Sequence, residues 1–241
     1  MPAEPSDPAG AFADPLAERL WTARAQHRLL PPDEGWSAVD HARAAAIATE
    51  LYRRAGAGVP TAWKLGALDE PARARLGLDR PLVAPVLPDG LHTDAGELTL
   101  ELARFCQPKL EAEVGLVLDG SAEPQVTACV EIADCRFAGW RPPPGVAVAD
   151  FGLQGAMVFG PGRPAPGEIR VEVRHDGRAV ATARAAVADV TARLELVRPL
   201  LTAGTGRVLV ATGAMTGLLD AAPGRWEFVF AGTTTVTVTL R

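Results

Sequence analysis

After Pro60 the chain is written mostly in short runs that alternate apolar and polar residues, and this pattern constrains the fold more than any other feature. Side chains on a strand point alternately to its two faces, so such runs fit strands with one buried face. The runs 98–105 (LTLELARF), 110–118 (LEAEVGLVL) and 125–140 (QVTACVEIADCRFAGW) read as strands, the last ended by Pro142, Pro143 and Pro144. Residues 169–186 read as a hairpin with Asp176-Gly177 in its turn. Residues 207–215, 225–231 and 233–240 read as further strands, and 190–204 as a helix stopping at Gly204. No βαβα alternation, phosphate-binding loop or internal repeat occurs.

The first 60 residues have a different texture. Asp14 and Pro15 form a helix start, and residues 14–30 read as one helix, broken by PPDEG (31–35). A second, alanine-rich helix is expected from Val39 to Arg54, ended by Gly56 and Gly58. A short helical piece follows near 71–76. The fold class predicted is α+β: a helical segment over 1–60, then a mostly-β domain over 61–241.

Composition narrows function by exclusion. The net charge of −5, with no cluster of Lys or Arg, gives no electrostatic footprint for nucleic acid or an anionic membrane. Cys106, Cys129 and Cys135 match no zinc spacing and are expected as reduced thiols. The proline- and acid-rich N-terminus reads as frayed and unlike a signal peptide, and no apolar run is long enough to span a bilayer. A cytoplasmic location is expected.

Chemistry concentrates around Glu111 and Glu113. Two residues apart on a strand, they share one face, and two carboxylates in an apolar strand repel each other and are costly to bury. A hard divalent cation would remove that cost. Glu131, inside another apolar run, is a natural third ligand. Taken alone, an E-x-E pair fits a solvated strand face better than a metal site. Lys64 and Lys109 are the only lysines against many arginines; a lysine kept against that bias points to a role in which a proton leaves, which arginine cannot fill.

The segments WKLG (63–66), LGLDRP (76–81), QPKLEAEVGLVL (107–118), VEIADCRFAGW (130–140) and TGAM (212–215) occur in one order. Together they resemble the 2-hydroxypentadienoate hydratase and 4-oxalocrotonate decarboxylase group of the fumarylacetoacetate hydrolase superfamily, from about residue 15 to the end. The resemblance implies a mixed β-sandwich or roll preceded by helices, usually in a homo-oligomer. It implies Mg2+ or Mn2+ on Glu111, Glu113 and Glu131, and Lys64 as the active-site lysine. The activity implied is that of a metal-dependent lyase on a small 2-oxo acid or its enol, most simply hydration of a 2-hydroxy-dienoate. Decarboxylation, tautomerisation and C–C hydrolysis use related chemistry, and a non-catalytic complex partner is a further alternative.

Three features depart from the group, one of them a stretch between Glu113 and Glu131 that is shorter than usual and removes surface structure over the site. Where it commonly has P-D-F-G, this chain has Pro81-Leu82-Val83-Ala84. Where it commonly has D-N-x-S-S-G, this chain has Asp150-Phe151-Gly152-Leu153-Gln154-Gly155. Leu82, Phe151 and Leu153 therefore suggest a drier pocket with altered substrate preference. Lys64 is expected to have a lowered pKa and to move protons. Arg136 and Arg141 are candidates to hold a substrate carboxylate, or else surface or structural ion pairs. Gln154 and Thr212 are candidate polar contacts to substrate.

Overall fold

The computed structural model describes residues 10–32, 34–120, 123–201 and 206–241. Most of the frayed start expected at the N-terminus, and Gly204, lie outside the described residues. Helix α1 (Pro15–Ala25) is capped by Asp14, whose carboxylate accepts the Leu16 N–H at 2.8 Å. It stops before the expected position 30 because the chain turns away, and Leu30 donates its N–H to Arg136 O at 2.7 Å. Helix α2 (Glu34–Ser37) starts in the last two residues of the expected break and runs past it. Helix α3 (His41–Arg54) is capped by Asp40 and ends at Ala55, followed by Gly56 at φ +68°.

The rest is mostly strand. In chain order come β1 (Ala62–Gly66), α4 (Glu70–Leu76), β2 (Leu82–Pro85), β3 (Leu91–His92), β4 (Glu97–Leu100), β5 (Pro108–Leu118), β6 (Gln125–Asp134), α5 (Val146–Ala149) and β7 (Gln154–Phe159). Then follow β8 (Glu168–His175), β9 (Arg178–Ala186), α6 (Val187–Ala192), β10 (Val208–Ala214), β11 (Leu219–Asp220), β12 (Gly224–Ala231) and β13 (Thr235–Leu240). The larger sheet runs β2-β1-β10-β5-β6-β7-β3, with β11 pairing β5; the smaller runs β4-β13-β12-β8-β9. The β8–β9 hairpin turns at Asp176 and Gly177, at φ +48° and +79°, as its Asp-Gly pair requires.

Three expected elements are shorter than read. Residues 98–105 give a strand only to Leu100. The run 125–140 leaves the sheet after Asp134, because Gln107 holds the next residues in a loop. The Gln107 side chain donates to Cys135 O and Phe137 O at 2.9 and 2.7 Å and accepts the Gly139 N–H at 3.0 Å. The helix expected over 190–204 is α6 followed by short 3-10 turns, since Pro199 cannot donate to a helical ladder.

One face of the larger sheet packs on the smaller, with Val114, Val130, Ile132, Val171, Phe228 and Val238 in a shared core. A second core joins the N-terminal helices to residues well beyond 60: Leu20, Trp36, Ile47 and Leu51 share it with Leu82, Phe137 and Phe151. The other face of the larger sheet carries the candidate site. No helix among the described residues is long and apolar enough to cross a membrane.

Candidate functional site

Strand register assembles the site. β5 and β6 pair antiparallel, with Glu111 opposite Glu131 and Glu113 opposite Cys129. Opposed residues share a face, as do residues two apart, so the three glutamates converge. One oxygen from each lies within 4.8 Å of the other two. Glu113 and Glu131 are 1% and 2% exposed, which removes the solvated-face reading. Such a set of close, buried, hard oxygen donors fits a divalent cation.

Lys64 comes from β1, separated from β6 by β10 and β5. Three strand spacings on a flat sheet are roughly 14 Å, more than the two side chains span, yet Lys64 Nζ forms an ion pair with Glu131. The sheet must therefore curve, with the glutamates on its concave side. Lys64 also donates to Gly152 O at 2.9 Å. A Cβ on Gly152 would stand 3.1 Å from Lys64 Cε and 2.8 Å from Leu82 Cδ2, so glycine allows this approach. Phe151, Gly152 and Leu153 all have positive φ, at +51°, +69° and +60°. The two non-glycine members store strain of order 1 kcal/mol each where the backbone presents a carbonyl to the lysine.

The electrostatics follow from crowding. Burial pushes the Glu111 carboxyl up to about 7, helped by the charge of Glu131 and opposed by Lys64 and Arg75. Glu113 is pushed well above the usual carboxylate range by burial and then by Glu131 and Glu111. Burial pulls Lys64 down, but Glu131, Glu113 and Glu111 outweigh it and the lysine is raised. The lowered Lys64 pKa expected from sequence is thus corrected: three carboxylates hold its proton on. Cys129, opposite Glu113 on the neighbouring strand, is a buried thiol pushed up by burial and the same negative charge. Cys135 is also buried, whereas Cys106 is only partly so.

Above the glutamates lies a cavity of about 480 Å³. Leu82 and Leu153 form part of its wall, as expected, with Trp140, Leu76 and Arg75. Phe151 does not: it is fully buried in the helical core, 6.3 Å from the Tyr52 ring, because the left-handed run turns it away. The β10–β5 register shifts between Ala211 and Ala214, and this bulge aims the Gly213 N–H at Glu113 Oε2, 2.9 Å away. Gly213, Gly152, Trp140 and Arg75 were not singled out from sequence.

No family model matches the chain. Solved structures do. The 4-oxalocrotonate decarboxylase from Pseudomonas putida G7, complexed with magnesium and adipate, matches with a TM-score of 0.77 at 20% identity, over 94% of this chain and 96% of that one. The same enzyme complexed with calcium and acetate gives 0.74 at 21%, over 94% and 96%. Fumarylpyruvate hydrolase from Pseudomonas aeruginosa, in complex with Mn2+ and pyruvate, gives 0.54 at 17%, over 76% and 89%. The chain has the 4-oxalocrotonate decarboxylase fold.

On that decarboxylase fold the remaining candidates fall away from the glutamates. Arg136 is buried with its Nε 3.1 Å from Asp150 Oδ1 and its Nη1 3.1 Å from Asp134 Oδ2, the structural ion pair weighed as its alternative. Gln154 accepts the Leu87 N–H at 3.1 Å and lines a different cavity. Arg141 is exposed and outside the cavity wall, although its neighbours Trp140 and Pro142 belong to it. Thr212 donates its hydroxyl to Val114 O at 2.7 Å, pinning the bulge rather than facing a ligand. Lys109, on β5 between β11 and β6, pairs with the exposed Asp220 and keeps only 23% of its own side chain exposed.

Proposed function

We propose that the chain is a divergent member of the fumarylacetoacetate hydrolase superfamily, a metal-dependent lyase acting on a small 2-oxo acid or its enol. The observation that carries this is the convergence of Glu111, Glu113 and Glu131 on the floor of a cavity that also contains Lys64. The three glutamates would hold one Mg2+ or Mn2+. Such a cation would supply Lewis-acid stabilisation of negative charge developing on a 2-oxo carboxylate.

The chain's own groups do the rest. Lys64 spends two of its three N–H donors on Glu131 and Gly152 O, leaving one to point into the cavity. In the metal-free chain its neighbours keep it charged, and in that form it would serve as proton donor and electrostatic anchor for a substrate oxygen. Leu82 and Leu153 keep water from this lysine and strengthen its field. The reading places the enzyme in the cytoplasm as a homo-oligomer, with hydration of a 2-hydroxy-dienoate as its simplest reaction. Decarboxylation is the second reading, favoured by the likeness to a decarboxylase over nearly the whole chain.

Ultraviolet spectra of 2-hydroxy-dienoates and measurement of carbon dioxide from 2-oxo dicarboxylates, with and without Mg2+, test both. Metal-dependent loss of dienol absorbance without gas supports hydration, and metal-dependent gas release supports decarboxylation. Neither signal across such a panel would sink the enzyme reading.

A further inference from the structure

A second cavity, of about 180 Å³, lies beyond the wall of the first. Adjacent residues divide between the two: Ala133 and Leu153 line the glutamate cavity, whereas Asp134 and Gln154 line the second. Its space is roughly that of six water molecules, enough for an acid of three or four carbons.

The lining is rich in unused donors. Arg24, with its side chain only 13% exposed, spends Nη1 alone, on Asp150 Oδ1 and Gln154 O at 2.8 and 3.1 Å. Its Nε and Nη2 have no hydrogen-bond partner among the described residues. Gln154 is fully buried and its Nε2 also has none, although its Oε1 is held by the Leu87 N–H. Beside that nitrogen is Gly90, where even a Cβ would come within 3.3 Å of it. An unpaired buried amide N–H carries a desolvation cost that an oxygen ligand would remove. Arg104, exposed at the rim, makes no ion pair among the described residues.

The acceptors are largely spent. Both Asp134 oxygens are engaged, by the Cys106 and Gln107 N–H groups and by Arg136. Asp89 is the other acid in the lining, and it is exposed. Surplus donors on buried, preorganised groups select an anion with planar, paired oxygens.

We propose that this cavity is a second ligand site, separate from the glutamates, that binds a small carboxylic acid as its anion. Arg24 and the Gln154 amide grip one carboxylate inside, and Arg104 attracts a second at the mouth. The site makes use of the carboxylate chemistry that the sequence suggested for this region, on the opposite side of the sheet from Lys64.

Succinate is the probe, titrated calorimetrically into the Mg2+-loaded protein. One succinate should bind per chain. Arg104→Gln should weaken it at least about fivefold and Asp89→Asn should tighten it, both at exposed positions whose replacement leaves the melting temperature unchanged. Gln154→Leu should weaken it too. Glu113→Gln, which removes a proposed metal ligand, should leave succinate affinity unaltered, so the two sites succeed or fail separately. Absence of saturable heat overturns the proposal. So does binding that survives Arg104→Gln but disappears in Glu113→Gln, which would place the anion at the glutamate site.

Discussion

The chain buries charge twice, in different proportions. On the concave face, Glu111, Glu113 and Glu131 face a single lysine, Lys64. On the other side of the wall, Arg24 and Arg136 face Asp134 and Asp150, two guanidiniums against two carboxylates. Burying a charge is tolerable when an opposite charge and hydrogen bonds replace the lost water. The second group meets that condition within the protein and ties α1 to the start of β7. The first does not, and the imbalance is what a cation would correct. Counting charge in each cluster thus separates a group that calls for a cation from one whose charges already balance, although both consist of buried ionisable groups.

The largest effect should come from spoiling the unbalanced cluster. Glu113→Gln is expected to lower activity at least about a thousandfold and abolish tight Mg2+ binding, while the metal-free protein melts no lower than the parent, because a neutral amide replaces a carboxyl whose ionisation burial and its neighbours oppose. Calorimetric Mg2+ titration and thermal melts in chelator read both. A large drop in the metal-free melting temperature would mean that Glu113 is a structural group after all.

The balanced cluster should respond in the opposite sense. Asp150 is fully buried between Arg24 and Arg136. Asp150→Asn leaves both guanidiniums short of a partner and should cost about 3–5 kcal/mol of stability. Denaturant melts would show it, with Mg2+ affinity measured below the unfolding transition reduced far less than in Glu113→Gln. Equal loss of metal affinity in the two variants would erase the distinction between the clusters.

The pH dependence sharpens it further. Glu111 is pushed up to about 7 from an ordinary 4.5, and Glu113 is raised as well. Between those values the folded, metal-free chain holds protons that the unfolded chain has lost, so its stability falls as pH rises through the window. A cation must displace the same protons, so its affinity should rise with pH, about tenfold per pH unit for each proton displaced, with the Glu111 contribution levelling off above about 7. Mg2+ titrations from pH 5 to 8 check this. An affinity independent of pH would mean that the carboxylates are already ionised without metal.

How much of this was legible in the sequence depends on parity. Glu111 and Glu113 are two apart, and strand alternation alone put them on one face. Their pairing with Glu131 followed the ordered family segments, and register then made it close. The same alternation carried a warning about Arg136 and Gln154. Position 136 has the opposite parity to 131, so along an extended strand it faces away, and Gln154 is likewise opposite its neighbour Leu153. Three things could not be read. The bulge that delivers the Gly213 N–H breaks parity locally. The left-handed run at Phe151 to Leu153 sends an aromatic into the helical core instead of the pocket. The early end of β6 rests on Gln107, a residue that the sequence marked only as part of a motif.

The smallest expected effect tests whether burial, and not charge as such, is what matters. Lys109 forms an ion pair with Asp220, as Lys64 does with Glu131, but here one partner, Asp220, is 90% exposed. In water the Coulombic gain is largely screened and offset by lost side-chain freedom. Lys109→Met should change stability by about 0.5 kcal/mol or less and leave metal affinity within a factor of two. Lys64→Met, by contrast, should remove activity while letting Mg2+ bind, since the metal takes over the neutralisation that the lysine had shared. If Lys109→Met matched Lys64→Met in activity, the Trp140 ring, 5.6 Å from Lys109 Nζ and part of the glutamate cavity, would be the path between them, and Lys109 would have to be counted with the site.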